Sequence, residues 1–347
     1  SAVVNLDHNA GKKLTFSLRM APTYTKEDAP LSNGSQFANP ILTAFFLRPL
    51  QNPYNTDGSL NISNASKDFS SVYNPVYIAK NDIHSLSTFS GIGSAQVKYN
   101  ILNNLSFTSK MGLQFTTLEE FYYNNPNHGD GKAANGRGYT YYSRYFLYDF
   151  VNQFDYHANL TKNKDLTLDA KLATEAILSK GYFISAQSQN YSTPRLPLST
   201  NASTVTQGSA TASDYSFNSS FGNLSLNYKG KYIIAGTLRR DGSSRFGINN
   251  QYGTFPSAGI AWNISKEYFL ERVDFINDLK LRASYGSAGN AELGNYGAKQ
   301  TFGFGANYNG NPGGTFNTLG NVSLTWEKDN QFDIGFDASL LKDRISL

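Results

Sequence analysis

Cysteine is absent from the 347 residues, which excludes disulfide frameworks, zinc–thiolate sites and cysteine nucleophiles. Charged residues are scarce at 16%, whereas soluble domains carry about a quarter. No apolar run reaches the roughly 20 residues that a transmembrane helix needs. The formal net charge of +4 is small for this length, so composition gives no support to nucleic-acid binding.

Motifs for common chemistries are also absent. The sequence has no P-loop, no G-x-S-x-G and no H-E-x-x-H, and its four histidines (His8, His84, His128 and His157) lack metal-site spacing. Two Gly-x-Gly pairs, at 91–93 and 303–305, lack the third glycine of a dinucleotide fingerprint, and we interpret them as close packing or kinks in strands. The sequence therefore predicts no catalytic residue, no metal site and no cofactor, and it favours a protein that is not an enzyme.

Aromatic residues, in contrast, reach 14%, and apolar residues alternate with polar ones along much of the chain. Leu14, Phe16, Leu18 and Met20 alternate with Lys13, Thr15, Ser17 and Arg19, as in a strand with one apolar face. The same alternation recurs in residues 94–101, 105–115, 146–160, 166–172, 224–238, 258–264, 279–285 and 331–340. In the 146–160 run, His157 shares its parity with polar neighbours and is predicted to face a lumen. We predict about ten strands, many of about 10 residues, the length that crosses a membrane at a tilt.

The connections between these strands are unequal in a regular way. Short turns are predicted at 103–104, 161–165, 229–231 and 341–344, with a longer link at 265–278. Long polar segments lie between them, at 116–138, 179–214, 240–253 and 286–321. A further long loop, 21–87, precedes the first short turn and contains an apolar patch at 41–50 that has no assignable structure. A soluble β-sandwich or solenoid also alternates, but its strands are usually about 5–6 residues long. Short turns opposite long loops are typical of an antiparallel transmembrane β-barrel, which we predict.

Aromatic residues also concentrate near strand ends. One group, at 121–123 and 139–145, flanks a long loop, and another, Tyr99, Tyr228, Tyr232 and Trp262, lies toward the short turns. Two such groups fit the aromatic girdles of a barrel, although cross-strand pairing is an alternative. The Asn-, Ser- and Gly-rich loops suit either the binding of a polar ligand such as a glycan or simple coverage of the barrel mouth.

Five sequence blocks carry a resemblance to a known family. They are YIIAGTLRRDGSSRFG (232–247), FPSAGIAW (255–262), LKLRASYG (279–286), LTWEK (324–328) and FDIGFD (332–337). In this order, the blocks resemble the SusC/RagA family of TonB-dependent outer-membrane transporters. Residues 1–223 resemble that family only in architecture and loop style.

The resemblance implies a barrel of about 22 strands with a plugged lumen, in the outer membrane of a Gram-negative bacterium and in contact with its lipid. It implies import of a large nutrient, an oligosaccharide or peptide, with a SusD-like surface lipoprotein and the TonB complex as partners. We expect residues 1–347 to be a portion of one transmembrane β-barrel domain. The N-terminal plug, the TonB-contacting segment and the C-terminal strands of the family are not found in them.

Two strand-to-loop junctions carry the candidate contacts for a ligand or for a plug. These residues are Arg239, Arg240, Asp241, Arg245, Trp326 and Glu327. The alternative for 239–247 is a charge cluster that fixes a loop. For the whole protein, the alternatives to import are a scaffold subunit of an outer-membrane complex and a passive porin.

Overall fold

Twelve antiparallel strands form one sheet in the computed structural model, which describes residues 1–28, 39–62, 73–270 and 273–347. The strands are β1 (Val4–Ala10), β2 (Leu14–Asp28), β3 (Ile83–Leu102), β4 (Leu105–Asn124), β5 (Arg137–Asn159), β6 (Leu166–Tyr191), β7 (Ala202–Tyr228), β8 (Tyr232–Ser243), β9 (Tyr252–Asn263), β10 (Ile276–Asn290), β11 (Thr301–Tyr308), β12 (Asn311–Thr318), β13 (Glu327–Leu340) and β14 (Ile345–Ser346). Each strand of the sheet pairs with the next one along the chain, except that β11 and β12 form a separate hairpin between β10 and β13. No ladder joins β1 to β14 in the described ranges, so the sheet is an open arc.

Helices are few and short. The helices α1 (Pro40–Phe46) and α2 (Pro75–Asn81) lie in the long connection between β2 and β3, and each begins after an asparagine cap with proline in its first turn. Helix α1 occupies much of the apolar patch that the sequence leaves unassigned. None of the helices in the described ranges is long and apolar enough to cross a membrane.

The sheet has two faces of opposite character. One row across five strands consists of Leu226, Ile234, Ile260, Ala283 and Ile334, each opposite the next in register. Ile234, Ile260 and Ile334 are 57–70% exposed. We call this the outer face, and no second layer of the described chain covers it. A soluble sandwich would bury such a face, since each exposed isoleucine forgoes about 1.5–3 kcal/mol of burial free energy. The outer face therefore suits lipid.

The opposite, inner face is polar and has many small residues. The neighbouring row across the same strands is Ser225, Ala235, Gly259, Ser284 and Asp333. The predicted apolar/polar alternation is thus confirmed, and the barrel wall has a lipid-suited outside and a polar inside.

Aromatic side chains collect on the outer face beside the short turns, as predicted. Tyr232 stacks between Tyr228 and Trp262, with ring centroids 6.3 and 6.4 Å apart. Glu267, in the turn between β9 and β10, accepts hydrogen bonds from the Tyr232 hydroxyl at 2.6 Å and from Trp262 Nε1 at 3.1 Å. These two hydrogen bonds lower the pKa of Glu267. The turn thereby fixes the orientation of the girdle.

The predicted loop boundaries were wrong in one consistent respect. Segment 179–214, interpreted as a long loop, is mostly strand, because β6 continues to Tyr191 and β7 starts at Ala202. Strands β2 to β5 extend in the same way. Both faces of a strand are wet beyond the membrane, so the alternation disappears although the backbone ladder continues. The sheet has twelve strands where about ten were predicted, because β1 and β14 were not among the predicted runs.

The glycine pairs and His157 behave as interpreted. A Cβ on Gly91 would lie 2.8 Å from the Phe115 ring and 3.2 Å from Pro22 Cα, which is close packing. The other pair coincides with a register shift between Gly303 and Ala306 in the β11–β12 hairpin. His157 lies on the inner face, with Nδ1 2.7 Å from Asp169 Oδ1.

Candidate functional site

A charge cluster lies on the inner face of β6, β7 and β8. Arg239 Nη2 donates to Glu175 Oε2 at 2.6 Å, and its Nε donates to Asp241 Oδ1 at 2.7 Å. Glu175 and Asp241 both stand opposite Ser219, whose small side chain leaves room for the guanidinium to reach across β7. The guanidinium also lies over the Phe221 ring, 4.9 Å from its centroid. The Arg239 side chain remains 37% exposed, so it is accessible from the inner side of the wall.

A buried aromatic cluster lies next to the charge cluster, toward the long loops. Its buried members are Phe246, Phe255, Ala291 and Trp326, and Phe217, Leu293 and Leu324 pack against them. The Trp326 ring is 4.9 Å from Phe246 and 5.2 Å from Phe255, and its Nε1 donates to the Gln251 carbonyl at 2.9 Å. The cluster therefore joins the β8–β9 loop to the long connection that precedes β13.

Glycines make room for these rings. A Cβ on Gly253 or Gly289 would lie 2.5 or 2.2 Å from the Phe255 ring. A Cβ on Gly247 would lie 1.9 Å from the Val322 carbonyl oxygen, a contact with backbone that cannot rotate away. Close packing thus requires glycine at Gly247, inside a resemblance block, and at Gly253 and Gly289, just outside the blocks.

Arg245 holds a further loop in place. Its guanidinium lies over the Tyr215 ring at 4.0 Å, its Nε donates to Asn295 Oδ1 at 2.9 Å, and its Nη1 donates to the Ala291 carbonyl at 2.8 Å. These contacts fix the segment that follows β10 against β7. The geometry at Arg245 is that of a loop-fixing residue, the alternative considered for 239–247.

The structure separates the six predicted site residues into groups. Arg239 and Asp241 belong to the charge cluster, Trp326 to the aromatic cluster, and Arg245 to the loop contact beside it. Glu327 accepts a hydrogen bond from Asn290 Nδ2 at 3.0 Å. Arg240 lies on the outer face instead, 4.7 Å from the centroid of the Tyr252 ring. Their role as ligand or plug contacts stays a prediction.

Sequence reasoning missed Glu175 and the buried rings of Phe246 and Phe255. No local signal pairs Glu175 with Arg239, because they are 64 residues apart and only the strand register brings them together. Phe255 stands in one of the resemblance blocks, and its parity, opposite to that of Ile260 and Trp262 on the same strand, was the available signal for an inner position.

A third cluster orders the long loops above the sheet. The Asn74 side chain caps α2, its Nδ2 donates to the Pro53 and Asn61 carbonyls at 2.8 and 2.9 Å, and its backbone N–H donates to His128 Nε2 at 2.8 Å. His128 is buried, with its ring edge-on to Tyr77 at 5.3 Å. Because Nε2 accepts this hydrogen bond, His128 is neutral here.

Asp82, between α2 and β3, also holds these loops together. Its Oδ1 accepts a hydrogen bond from the Asn125 backbone N–H at 2.8 Å, and its Oδ2 accepts one from Asn124 Nδ2 at 3.1 Å. The Tyr77 hydroxyl donates to Asn125 Oδ1 at 2.7 Å, which joins α2 to the same loop. Within the described ranges, no group of three or more His, Asp or Glu side chains is placed to hold a metal ion.

The loop packing should carry two opposing pH dependences. Burial raises the pKa of Asp82 to about 6, so packing gains stability as pH falls from 6 toward 3.8. Burial, with Lys132 adding to it, lowers the pKa of His128 to about 4, so packing loses stability as pH falls from 6.5 toward 4. The charge of Asp130 raises the Asp82 pKa further, and burial raises the pKa of Asp130 itself, so Asp130 acts in the same direction as Asp82. We expect the two effects to offset each other in the wild-type protein.

Substitutions should separate the carboxyl titrations from that of His128. In D82N/D130N, amides 125–136 should lose about tenfold or more of their hydrogen-exchange protection between pH 6.5 and 4, the equivalent of a shift of at least one pKa unit. In H128Q, the same amides should gain protection over that range. Protection factors measured by mass spectrometry would check this, and identical pH profiles for wild type, D82N/D130N and H128Q would contradict it.

Comparison with known proteins gives a family match over most of the chain. The family described as "TonB dependent receptor-like, beta-barrel" matches residues 33–347. The "TonB-dependent receptor P39" of Formosa agariphila is 28% identical over 349 residues, which cover 99% of this chain and 32% of that protein. The "TonB-dependent receptor SusC" of Bacteroides thetaiotaomicron is 35% identical over 133 residues, which cover 36% of this chain and 13% of that protein.

Solved structures show the same fold. The RagAB peptide transporter matches with a TM-score of 0.82 and 22% identity, over 99% of this chain and 38% of that one. The ferric citrate transporter FecA matches with a TM-score of 0.50 and 8% identity, over 97% of this chain and 40% of that one. The chain thus spans about a third of the length of the relatives that it matches along its full extent.

Proposed function

Because the chain belongs to the TonB-dependent receptor-like β-barrel family, we propose that it forms part of the wall of an outer-membrane importer for a large nutrient. The observation that supports this most is the division of one sheet into an exposed apolar outer face and a polar inner face. A protein with this wall needs lipid on one side and a wet lumen on the other.

The loops give the wall a direction. We place the short turns in the periplasm and the long loops outside the cell, as in other outer-membrane barrels. The charge cluster at Arg239 and the aromatic cluster at Trp326 then lie on the inner face, at the outer part of the lumen. The exposed Arg239 guanidinium of the charge cluster suits the recognition of polar chains by hydrogen bonds, and the buried rings hold the loops beside it.

The cargo that we propose is an oligosaccharide or a peptide, carried with a SusD-like surface lipoprotein and energised by the TonB complex. The similarity to SusC and to the RagAB peptide transporter supports this choice. Arg239, Asp241 and Glu175 are the ligand or plug contacts that the geometry favours, because the Arg239 side chain is open to the inner side. We propose no enzymatic activity.

Deletion of the gene should abolish growth on one polysaccharide or uptake of one class of peptides. Deletion of the TonB energy source should have the same effect, because import against a gradient needs it. A strain complemented with the wild-type gene provides the control. Normal uptake of every candidate nutrient would contradict import and favour a scaffold subunit, whereas ion conduction in planar bilayers without TonB would favour a passive porin.

A further inference from the structure

Two cations stand on the outer face just beyond its apolar band. On β5, the outward positions from Tyr156 to Phe146 are mostly apolar over about 10 residues, the length that crosses the hydrocarbon. Arg144 is the next outward residue toward the long loops. On β6, the outward run that includes Leu172 and Leu178 ends at Lys180 in the same way. Both cations therefore lie at the level where hydrocarbon gives way to lipid headgroups.

The register makes these cations neighbours. Arg144 stands opposite Tyr182, and Lys180 stands opposite Phe146, so the two cations are diagonal neighbours on one face. Diagonal side chains in antiparallel pairs lie about 7–8 Å apart at their Cα atoms, which one phosphate group can bridge. Both are exposed and border one concavity, whose remaining wall includes Phe146, Tyr148 and Tyr182.

Neither cation forms an ion pair within the described part of the chain. No carboxylate there lies within the 4.0 Å of an ion pair with Arg144 or Lys180. Asp214 stands opposite Lys180 in register, but its Oδ1 accepts a hydrogen bond from the Tyr296 hydroxyl at 3.1 Å. The Arg144 guanidinium lies over the Tyr182 ring at 5.1 Å, which holds it beside Lys180. The lining of the concavity keeps a net charge of +1 when Asp214 is counted, and Glu119 stands outside this lining on the same face of β4, diagonal to Arg144.

We propose that this concavity binds the phosphorylated headgroup of a glycolipid in the outer leaflet. Arginine binds phosphate through paired N–H donors, and lysine adds a compact positive charge. The aromatic rings below the two cations provide an apolar surface for the acyl chains that continue from such a headgroup. This inference rests on the membrane placement proposed above, but it does not depend on which nutrient is imported.

The test uses the full-length protein, extracted from outer membranes in mild detergent. Native mass spectrometry should show lipopolysaccharide bound to the wild type and at least about tenfold less bound to the R144A/K180A double variant, since each lost charge-assisted hydrogen bond weakens binding by about tenfold or more. The charge-conserving variants R144K and K180R should retain it. K26A is the matched control, because Lys26 also faces outward beside the long loops but is paired with Asp28 at 3.7 Å.

The source of the phosphate is resolved by two further measurements. Vesicles that contain phosphorylated lipid A should protect the wild type against heat more than vesicles with dephosphorylated lipid A, and R144A/K180A should show no such difference. Displacement of the glycolipid by millimolar inorganic phosphate would assign the site to free phosphate and overturn the proposal. Equal lipopolysaccharide on wild type and R144A/K180A would also overturn it.

Failure of this inference can be told apart from failure of the proposed function. If the protein is found in the outer-membrane fraction and imports its nutrient, but R144A/K180A retains its glycolipid, then only the glycolipid site is wrong. If the protein is absent from the outer-membrane fraction, then the proposed function is wrong as well.

Discussion

Replacing Trp326 by alanine is expected to release the loops that the aromatic cluster joins. The ring is only 8% exposed and packs on Phe246 and Phe255, and its Nε1 holds the Gln251 carbonyl. Loss of a buried tryptophan costs about 3 kcal/mol or more. When the free energy of a local opening falls by about 3 kcal/mol, the population of the open state rises roughly 100-fold. Hydrogen exchange in segments 244–251 and 319–326 should therefore accelerate by about that factor.

The conservative variant W326F is the control for this prediction. Phenylalanine keeps most of the packing but cannot donate to Gln251, so it should accelerate exchange in 244–251 by only a fraction of the W326A effect. Exchange along β3, which lies five strands from β8 in the sheet, should be unchanged in both variants. Equal exchange rates in W326A and wild type would show that the aromatic cluster does not hold these loops.

Replacing Arg239 by alanine should destabilise the inner wall, because it leaves Glu175 and Asp241 facing each other across Ser219 without a cation. The side chain is about one third exposed, so each of its two ion pairs is expected to contribute only about 1 kcal/mol. Together they amount to about 2 kcal/mol, or roughly 30-fold in the equilibrium. The temperature at which the full-length barrel loses its heat-modifiable mobility on gels should fall in R239A.

The neighbouring Arg240 provides the matched control. It lies on the outer face over the Tyr252 ring, and no carboxylate in the described ranges forms an ion pair with it, so R240A should cost less than R239A. Neutralising the carboxylates in the triple variant R239A/E175Q/D241N should recover much of the lost stability. Equal effects of R239A and R240A, or no recovery in the triple variant, would show that the charge cluster is not the cause.

The membrane-spanning part of the fold could be predicted from sequence because lipid imposes a pattern. The outward positions of Ile234, Leu238 and the girdle residue Trp262 could be predicted because a strand in a membrane wall needs one apolar face. The short turns at 103–104 and 229–231 were placed correctly for the same reason, since the alternation stops there.

The parts outside the membrane could not be predicted in the same way. Strands β6 and β7 continue well beyond the apolar band. Both of their faces meet water there, so the sequence loses the two-residue alternation that would indicate a strand. The site depends on register as well as on residue type. Arg239 was predicted at a junction, but its partner Glu175 comes from a strand two positions away, which only the pairing of β6, β7 and β8 determines.

If this sheet is a membrane wall, the even-numbered positions of β8 face lipid and the odd-numbered ones face the lumen. Because these 347 residues contain no cysteine, single cysteines can be placed at each position from 233 to 238 in the full-length protein, cleared of any cysteine elsewhere, and spin-labelled in vesicles. Collision rates with oxygen should be high at 234, 236 and 238, and those with a water-soluble nickel complex high at 233, 235 and 237. Uniform access of the nickel complex to all six positions would contradict the account.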